Sequence, residues 1–370
     1  MNTAHPLPQA ARAAALPDAP FISVIVPVRN EEAFIGATLR QLLAQDYDPE
    51  RFEVLVADGR STDRTREIVA ELQAAHPQFT LLDNPGRLSS AGRNVAVEAS
   101  RGDIILLIDG HCDLGNPHYL AEVADAFARS GADCLGRPQP LDVAGATPLQ
   151  RAVAAARSSR LGHHPASHIY SDREAFVAPE SVAVAYRRHV FNSVGTFDES
   201  FDACEDVEFN HRLARAGMRC FFTPRVGVRY FPRATLSALF WQMARYGRGR
   251  VRLLRKHPDT FSLPGFLPAL FVAGVLLGPL FGVVVPELLL GYLGVLAAYA
   301  LTVFGFGVAA VVRERSLALL PLLVAVFPAI HFGAGVGLWW EALFGAEKPA
   351  PEARALTLPA APPDERRRAA

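Results

Sequence analysis

The chain has 370 residues, half of them hydrophobic, and 37 basic side chains balance 37 acidic ones. A neutral balance removes the bulk electrostatic case for nucleic-acid binding, and no nucleic-acid partner is expected. Four scattered cysteines, Cys112, Cys134, Cys204 and Cys220, show no Cys-x-x-Cys spacing, which argues against a structural zinc site and for a reducing, cytosol-facing domain.

Residues 1–20 are rich in Ala and Pro and lack an apolar core behind basic residues, so they read as a disordered segment and not a signal peptide. Apolar runs and helical patterns then alternate. Residues 21–27 predict a strand, and residues 33–45 a helix with Phe34, Ile35, Leu39, Leu42 and Leu43 inward. A second strand at 52–57 ends in Asp58-Gly59, and a helix follows at 64–75. A short strand at 80–82, a helix at 89–100 and a strand at 103–108 complete the run. Helical crossovers between apolar runs mark a mostly parallel sheet covered on both faces, so the fold class is α/β. This soluble domain is expected over residues 21–258.

The strand ends carry the polar residues. Pro27-Val28-Arg29-Asn30-Glu31, Asp58-Gly59-Arg60-Ser61 and Asp109-Gly110-His111 close three apolar runs. Open α/β sheets bind ligands at the carboxyl edge, and helix capping does not account for acidic residues at all three ends. One shared pocket is expected. Gly86-Arg87 and Gly92-Arg93-Asn94 add arginines suited to phosphate oxygens. Farther along, Glu205-Asp206 opens an acidic stretch. Residues 161–179, with His163, His164, His168 and Asp172, are a candidate lid bearing on selectivity.

Between residues 263 and 344 charge nearly vanishes. Three stretches, 264–285, 288–312 and 317–344, are long and apolar enough to span a membrane. The third is interrupted by Pro328, Gly333, Gly335 and Gly337, so two spans plus a re-entrant hairpin is the alternative. The cluster Arg245, Arg248, Arg250, Arg252, Arg255, Lys256 and the pair Arg313 and Arg315 assign their loops to the cytoplasmic side. Three crossings put the carboxyl end outside, at odds with Arg366-Arg367-Arg368. Residues 346–370 read as a disordered tail.

The motifs Val26-Pro27-Val28-Arg29-Asn30-Glu31-Glu32, Val56-Ala57-Asp58-Gly59-x-Ser61-x-Asp63, Ala91-Gly92-Arg93-Asn94, Ile108-Asp109-Gly110-His111 and Cys204-Glu205-Asp206, in this order, resemble the family 2 glycosyltransferases. These are inverting enzymes with a nucleotide-sugar-binding, GT-A-like fold. Within them the chain most resembles the membrane-attached, succinoglycan type of exopolysaccharide synthesis. The resemblance implies that Pro27, Asn30 and Glu31 border the nucleoside, that Asp58 faces the base and that Arg93 lies near the pyrophosphate. It puts Asp109 and His111 in the place of a metal-binding Asp-x-Asp, with Mn²⁺ or Mg²⁺ as cofactor and Asp113 as a substitute ligand.

By the same resemblance Asp206 is the catalytic base and Glu205 orients the acceptor. Gln242, Arg245 and Tyr246 take the place of a Gln-x-x-Arg-Trp motif that helps to close the site over pyrophosphate and acceptor. The implied partners are a nucleotide-diphosphate sugar, UDP favoured, and a lipid-linked saccharide acceptor. The implied location is the inner membrane, multi-pass, with the catalytic domain cytoplasmic. A processive polysaccharide synthase is disfavoured, since no helices precede the domain. A decayed, membrane-tethered binding or scaffold protein is the remaining alternative.

Overall fold

The computed structural model describes residues 16–163 and 168–345. The expectations for the two chain ends fall outside them, save that residues 16–20 are placed: Leu16 packs on the core and the Pro20 carbonyl accepts a hydrogen bond from the Tyr47 hydroxyl (2.5 Å).

The alternation read from the sequence is the alternation observed. β1 (Ile22–Val28), α1 (Ile35–Leu43), β2 (Phe52–Asp58), α2 (Thr65–Ala75), β3 (Phe79–Asp83), α3 (Ser89–Ala99) and β4 (Ile104–Leu107) follow one another. β1 pairs in parallel with both β2 and β4, and β3 adds to β2. Nearly every residue of β1 and β2 is buried, because helices cover both faces of the sheet. Val24, Val26, Val54 and Val56 have no exposed surface, and each contributes about 1.5–3 kcal/mol of burial.

Beyond β4 the sheet departs from a parallel pattern. β5 (Cys112–Asp113) leads to α4 (Tyr119–Ser130) and β6 (Cys134–Gly136), and α5 (Pro148–Arg157) belongs to a second unit described below. β7 (Ala175–Val177), β8 (Ala183–Arg187), α6 (Arg188–Val194), α7 (Glu205–Arg215), β9 (Cys220–Phe222) and β10 (Arg229–Tyr230) complete the first unit. The strand order is β3-β2-β1-β4-β8-β6-β9-β7, with β8 antiparallel to both β4 and β6. The architecture is therefore a mixed α/β sheet. A separate two-stranded piece pairs β10 with β5, Tyr230 opposite Cys112. All four cysteines are free and buried.

The chain forms two compact units. The described part of the second comprises residues 140–163 and 231–345, so it begins before the expected boundary at 258 and takes in α5. It contains α8 (Leu236–Lys256), α9 (Leu263–Val284), α10 (Pro286–Glu314) and α11 (Leu320–Phe344). α9, α10 and residues 317–344 are each long and apolar enough to cross a membrane. α11 is one continuous helix through Pro328, with no re-entrant turn.

Candidate active site

The order β2-β1-β4 puts the first, second and fourth strand ends side by side, since β1 pairs on both edges. At one side of this edge, Asn30 adopts a left-handed backbone (φ 56°) and locks the β1 end to the β2 end. Its N–H donates to Ser61 Oγ (2.9 Å), and its Oδ1 accepts from the Thr62 N–H (2.9 Å). Asp58 is fully buried and its carboxylate accepts from the Ser61 hydroxyl (2.5 Å), the Ser61 N–H (3.1 Å) and Arg66 (2.7 Å). Pro27 lies against α3, where a Cβ on Gly92 would come within 3.2 Å of it.

The loop after β4 carries Asp109 and His111. Thr38 of α1 donates to the Gly110 carbonyl (3.0 Å), fixing the loop to the first helix. A side chain at Gly110 would come within 2.8 Å of Val28, so only glycine lets the loop approach β1 this closely. His111 Nδ1 meets Glu31 Oε1 at 2.9 Å. Asp109 Oδ2 accepts from the Tyr230 hydroxyl (2.7 Å), and Asp109 Oδ1 is 3.9 Å from Arg93 Nη2. Burial opposes the Asp109 charge, but Arg93, His111 and the Tyr230 hydroxyl outweigh it and hold the carboxyl below its ordinary range.

Arg93 joins the two halves of the first unit. It is buried on α3, with Nη1 3.0 Å from Glu205 Oε1 and its guanidinium 5.3 Å from the centre of the Phe197 ring. Its Nε has no hydrogen-bond partner among the described residues. That N–H is donor capacity the described residues leave unused, as they also do at Arg137 Nε and Arg188 Nη1. Next to Arg93, Asn94 donates to the Phe197 carbonyl and to Glu199 Oε1, and accepts from the Phe197 N–H, each at 2.9 Å. The segment leading to α7 is thus fastened to α3.

At the start of α7, Cys204 holds a left-handed backbone (φ 63°), a strained conformation for a side chain of that kind. The two acids after it, successive residues of α7, have opposite surroundings. Glu205 is buried, and burial raises its carboxyl above the ordinary value despite Arg93. Asp206 is exposed, with its Oδ1 accepting from the Val207 N–H (2.8 Å). The helix amino-terminus favours both acids electrostatically.

The structure thus brings together Asn30, Glu31, Asp58, Arg93, Asp109, His111, Glu205 and Asp206 in the first unit. Gln242, Arg245 and Tyr246 lie in the second, on α8, where Gln242 Nε2 is 3.4 Å from the Tyr246 hydroxyl. Asp113 accepts from the Gly115 N–H (3.0 Å). Of the candidate lid, His163 Nδ1 meets the Ser159 carbonyl (2.7 Å), and His164 lies outside the described residues.

Two residues absent from the sequence reading support Asp109. Tyr230 is 121 residues away from it. Arg137, buried just beyond β6, is 3.4 Å from the Tyr230 hydroxyl and 2.5 Å from the Tyr119 hydroxyl. A charged residue straight after the short run Cys134-Leu135-Gly136 was the available signal for Arg137. No local pattern marks Tyr230.

The profile of the glycosyltransferase-like family 2 matches residues 17–249. The succinoglycan biosynthesis protein ExoA of Rhizobium meliloti (strain 1021) is 35% identical over 327 residues, covering 86% of this chain and 94% of that protein. A dolichyl N-acetyl-alpha-D-glucosaminyl phosphate 3-beta-D-2,3-diacetamido-2,3-dideoxy-beta-D-glucuronosyltransferase of Methanococcus voltae is 25% identical over 246 residues, 64% of this chain and 74% of that one. Among solved structures, the mannosyltransferase PcManGT of Pyrobaculum calidifontis, in complex with GDP-Man and Mn²⁺, shares the fold. Its TM-score is 0.56, with 21% identity and 91% of each chain covered.

Proposed function

The chain belongs to the glycosyltransferase-like family 2, and on that premise we propose that it transfers a sugar, with inversion, from a nucleoside-diphosphate donor to the hydroxyl of a lipid-linked acceptor. The observation that carries the reading is Arg93, which pairs with Asp109 at a strand end and with Glu205 beside the exposed Asp206. Donor-side and acceptor-side groups are thereby within reach of one buried guanidinium.

Asp206 is the base. Inversion needs one carboxylate, open to the acceptor, that takes the hydroxyl proton as the oxygen attacks the anomeric carbon. Of the two acids at the start of α7, only Asp206 is exposed. Glu205, buried against Arg93, positions the guanidinium that faces the leaving diphosphate. Asn30 and Asp58 shape the nucleoside end, because their hydrogen bonds to Ser61 and Thr62 fix the two loops there.

Charge supports dependence on a divalent cation. Glu31, Asp109, Glu205 and Asp206 stand against two buried arginines, Arg93 and Arg137, so an added diphosphate meets net repulsion unless a cation accompanies it. Asp109 and His111 fit such an ion. Glu31 at Nδ1 fixes that nitrogen as the protonated one and assigns the lone pair to Nε2, the outer support that ligating histidines have. One carboxylate and one imidazole suit Mn²⁺ better than Mg²⁺. When bound, the ion would supply positive charge for the departing diphosphate.

PcManGT holds GDP-Man and the archaeal relative is named for a dolichyl-phosphate-linked acceptor. A nucleoside-diphosphate-sugar donor and a polyprenyl-type acceptor accord with these, and the preference for UDP rests on the family resemblance alone. The apolar helices of the second unit accord with an inner-membrane enzyme whose catalytic unit is cytoplasmic. The test is Asp206→Asn, which lowers turnover about 10²–10⁴-fold while donor binding is kept. Equal loss of both would show Asp206 to be structural.

A further inference from the structure

Composition and packing of α11 point in different directions. By length and apolarity it qualifies as a membrane span. Its neighbours hold it elsewhere. Its second half runs beside α8 and in the same direction: a methyl group on Gly333 or Gly337 would overlap the carbonyl oxygens of Phe240 and Ala244. Further along, the buried Glu341 pairs with Arg248 (3.1 Å) and Arg252 (2.8 Å), and Arg255 donates to the Glu341 carbonyl (2.8 Å). α8 also carries Arg245, Arg250 and Lys256, with Arg245, Arg255 and Lys256 exposed. A helix with this run of surface charge does not enter hydrocarbon, and the half of α11 welded to it stays at the same level.

The other neighbours set the depth. α9 and α10 form an antiparallel hairpin, with Phe271 beside Tyr299 (ring centres 4.3 Å apart) and a Cβ on Gly282 reaching Leu289 at 3.1 Å near the turn. α11 meets this hairpin near its base. Phe332 touches Phe271, the Trp339 indole donates to the Ala269 carbonyl (2.8 Å), His331 Nδ1 meets the Tyr299 hydroxyl (2.9 Å), and Phe327 faces Phe306. From the level of Phe271 to the turn at Val285 is 14 residues, about 21 Å of helix. That outer part is open: Leu276, Leu280, Val283, Val284 and Leu290 are all more than 60% exposed. A third span alongside the hairpin would cover it.

All three tryptophans of the chain sit on this helix pair, Trp241 on α8 and Trp339 and Trp340 on α11, exposed by 65%, 38% and 55%. Tryptophan concentrates where membrane meets water, since its ring is apolar and its N–H polar. We infer that α8 and α11 form a platform seated in one leaflet of the bilayer, and that only the α9–α10 hairpin crosses it. The chain then has two crossings. Ser316, before α11, and Phe344, at its end, lie on the same side, opposite Val285. This arrangement also puts Arg313, Arg315 and the basic residues of α8 on one side.

The test is cysteine accessibility in sealed membranes of both orientations, using a membrane-impermeant maleimide on the full chain. The four native cysteines are buried, and the unmodified protein sets the background. Ser316→Cys and Phe344→Cys are expected to label from one side and Val285→Cys from the other. Labelling of Ser316→Cys and Phe344→Cys from opposite sides overturns the inference. An epitope fused after Ala370 gives a second reading by protease digestion of the same vesicles. It is expected to be cut on the Ser316 side, and cutting on the Val285 side overturns the inference whatever the maleimide reports at Phe344.

Discussion

Asn94→Ala removes the clasp between α3 and the segment that carries the proposed base. The side chain makes three hydrogen bonds of 2.9 Å, two of them to the N–H and carbonyl of Phe197, which is itself buried. Truncation leaves those two main-chain groups in a dry site without their partner. A stranded buried polar group costs about 1–3 kcal/mol, so the sum, discounted for relaxation, is about 2–4 kcal/mol. For a unit of this size each kcal/mol lowers the melting temperature by about 2–4 °C, which predicts a fall of about 4–16 °C. Differential scanning fluorimetry of the detergent-solubilised protein reads this directly. Limited proteolysis should open the chain between Gly195 and Cys204. Because the clasp orients Asp206 and also Glu205, which positions Arg93, turnover should fall and donor KM should rise. A melt within 2 °C of the parent with unchanged turnover would refute the reasoning.

Tyr230→Phe keeps the ring and removes one hydroxyl, so Asp109 loses a hydrogen bond to its charged form, worth about 1.5–3 kcal/mol. Donor affinity in the presence of Mn²⁺ is expected to change, and an unaltered titration would remove Tyr230 from the site. Glu205 gives a pH signature. Burial raises its folded-state value above 4.5, so the folded protein holds more protons than the unfolded chain just above that pH, and stability falls as pH rises there. Glu205→Gln should flatten this slope in melts taken across the window, and an identical slope would rule Glu205 out as its source. Chelation of divalent ions should abolish transfer by the parent, and Asp109→Ala should lose the Mn²⁺ signal seen by electron paramagnetic resonance on donor binding. Retention of that signal would place the ion elsewhere.

Local pattern accounts for what could be read early. The β1 and β2 runs are apolar at every position because both faces of the sheet are covered, and such runs are visible in a linear string. Asp58, Asp109 and Glu205-Asp206 stood out for a related reason, as polar residues closing apolar runs or crowding a helix start. Their distinction from one another did not. Glu205 and Asp206 are adjacent and chemically alike, and the packing of α7 buries the first and exposes the second, successive residues of a helix pointing about 100° apart. The reversal of β8 likewise escaped, since an antiparallel strand in the middle of a sheet has the same composition as a parallel one.

The sequence by itself determined the α/β class, the three polar strand ends and the apolar character of α9, α10 and α11, because each depends on residues near one another in the chain. Tertiary structure decided the rest. The Tyr230 hydroxyl reaches Asp109 across 121 positions, Asn94 reaches Glu199 across 105, and Glu341 is neutralised by arginines about 90 positions earlier. Hydropathy reports how readily a helix leaves water. It does not report which partner it lies against, and for α11 that partner is a basic helix that sets its depth.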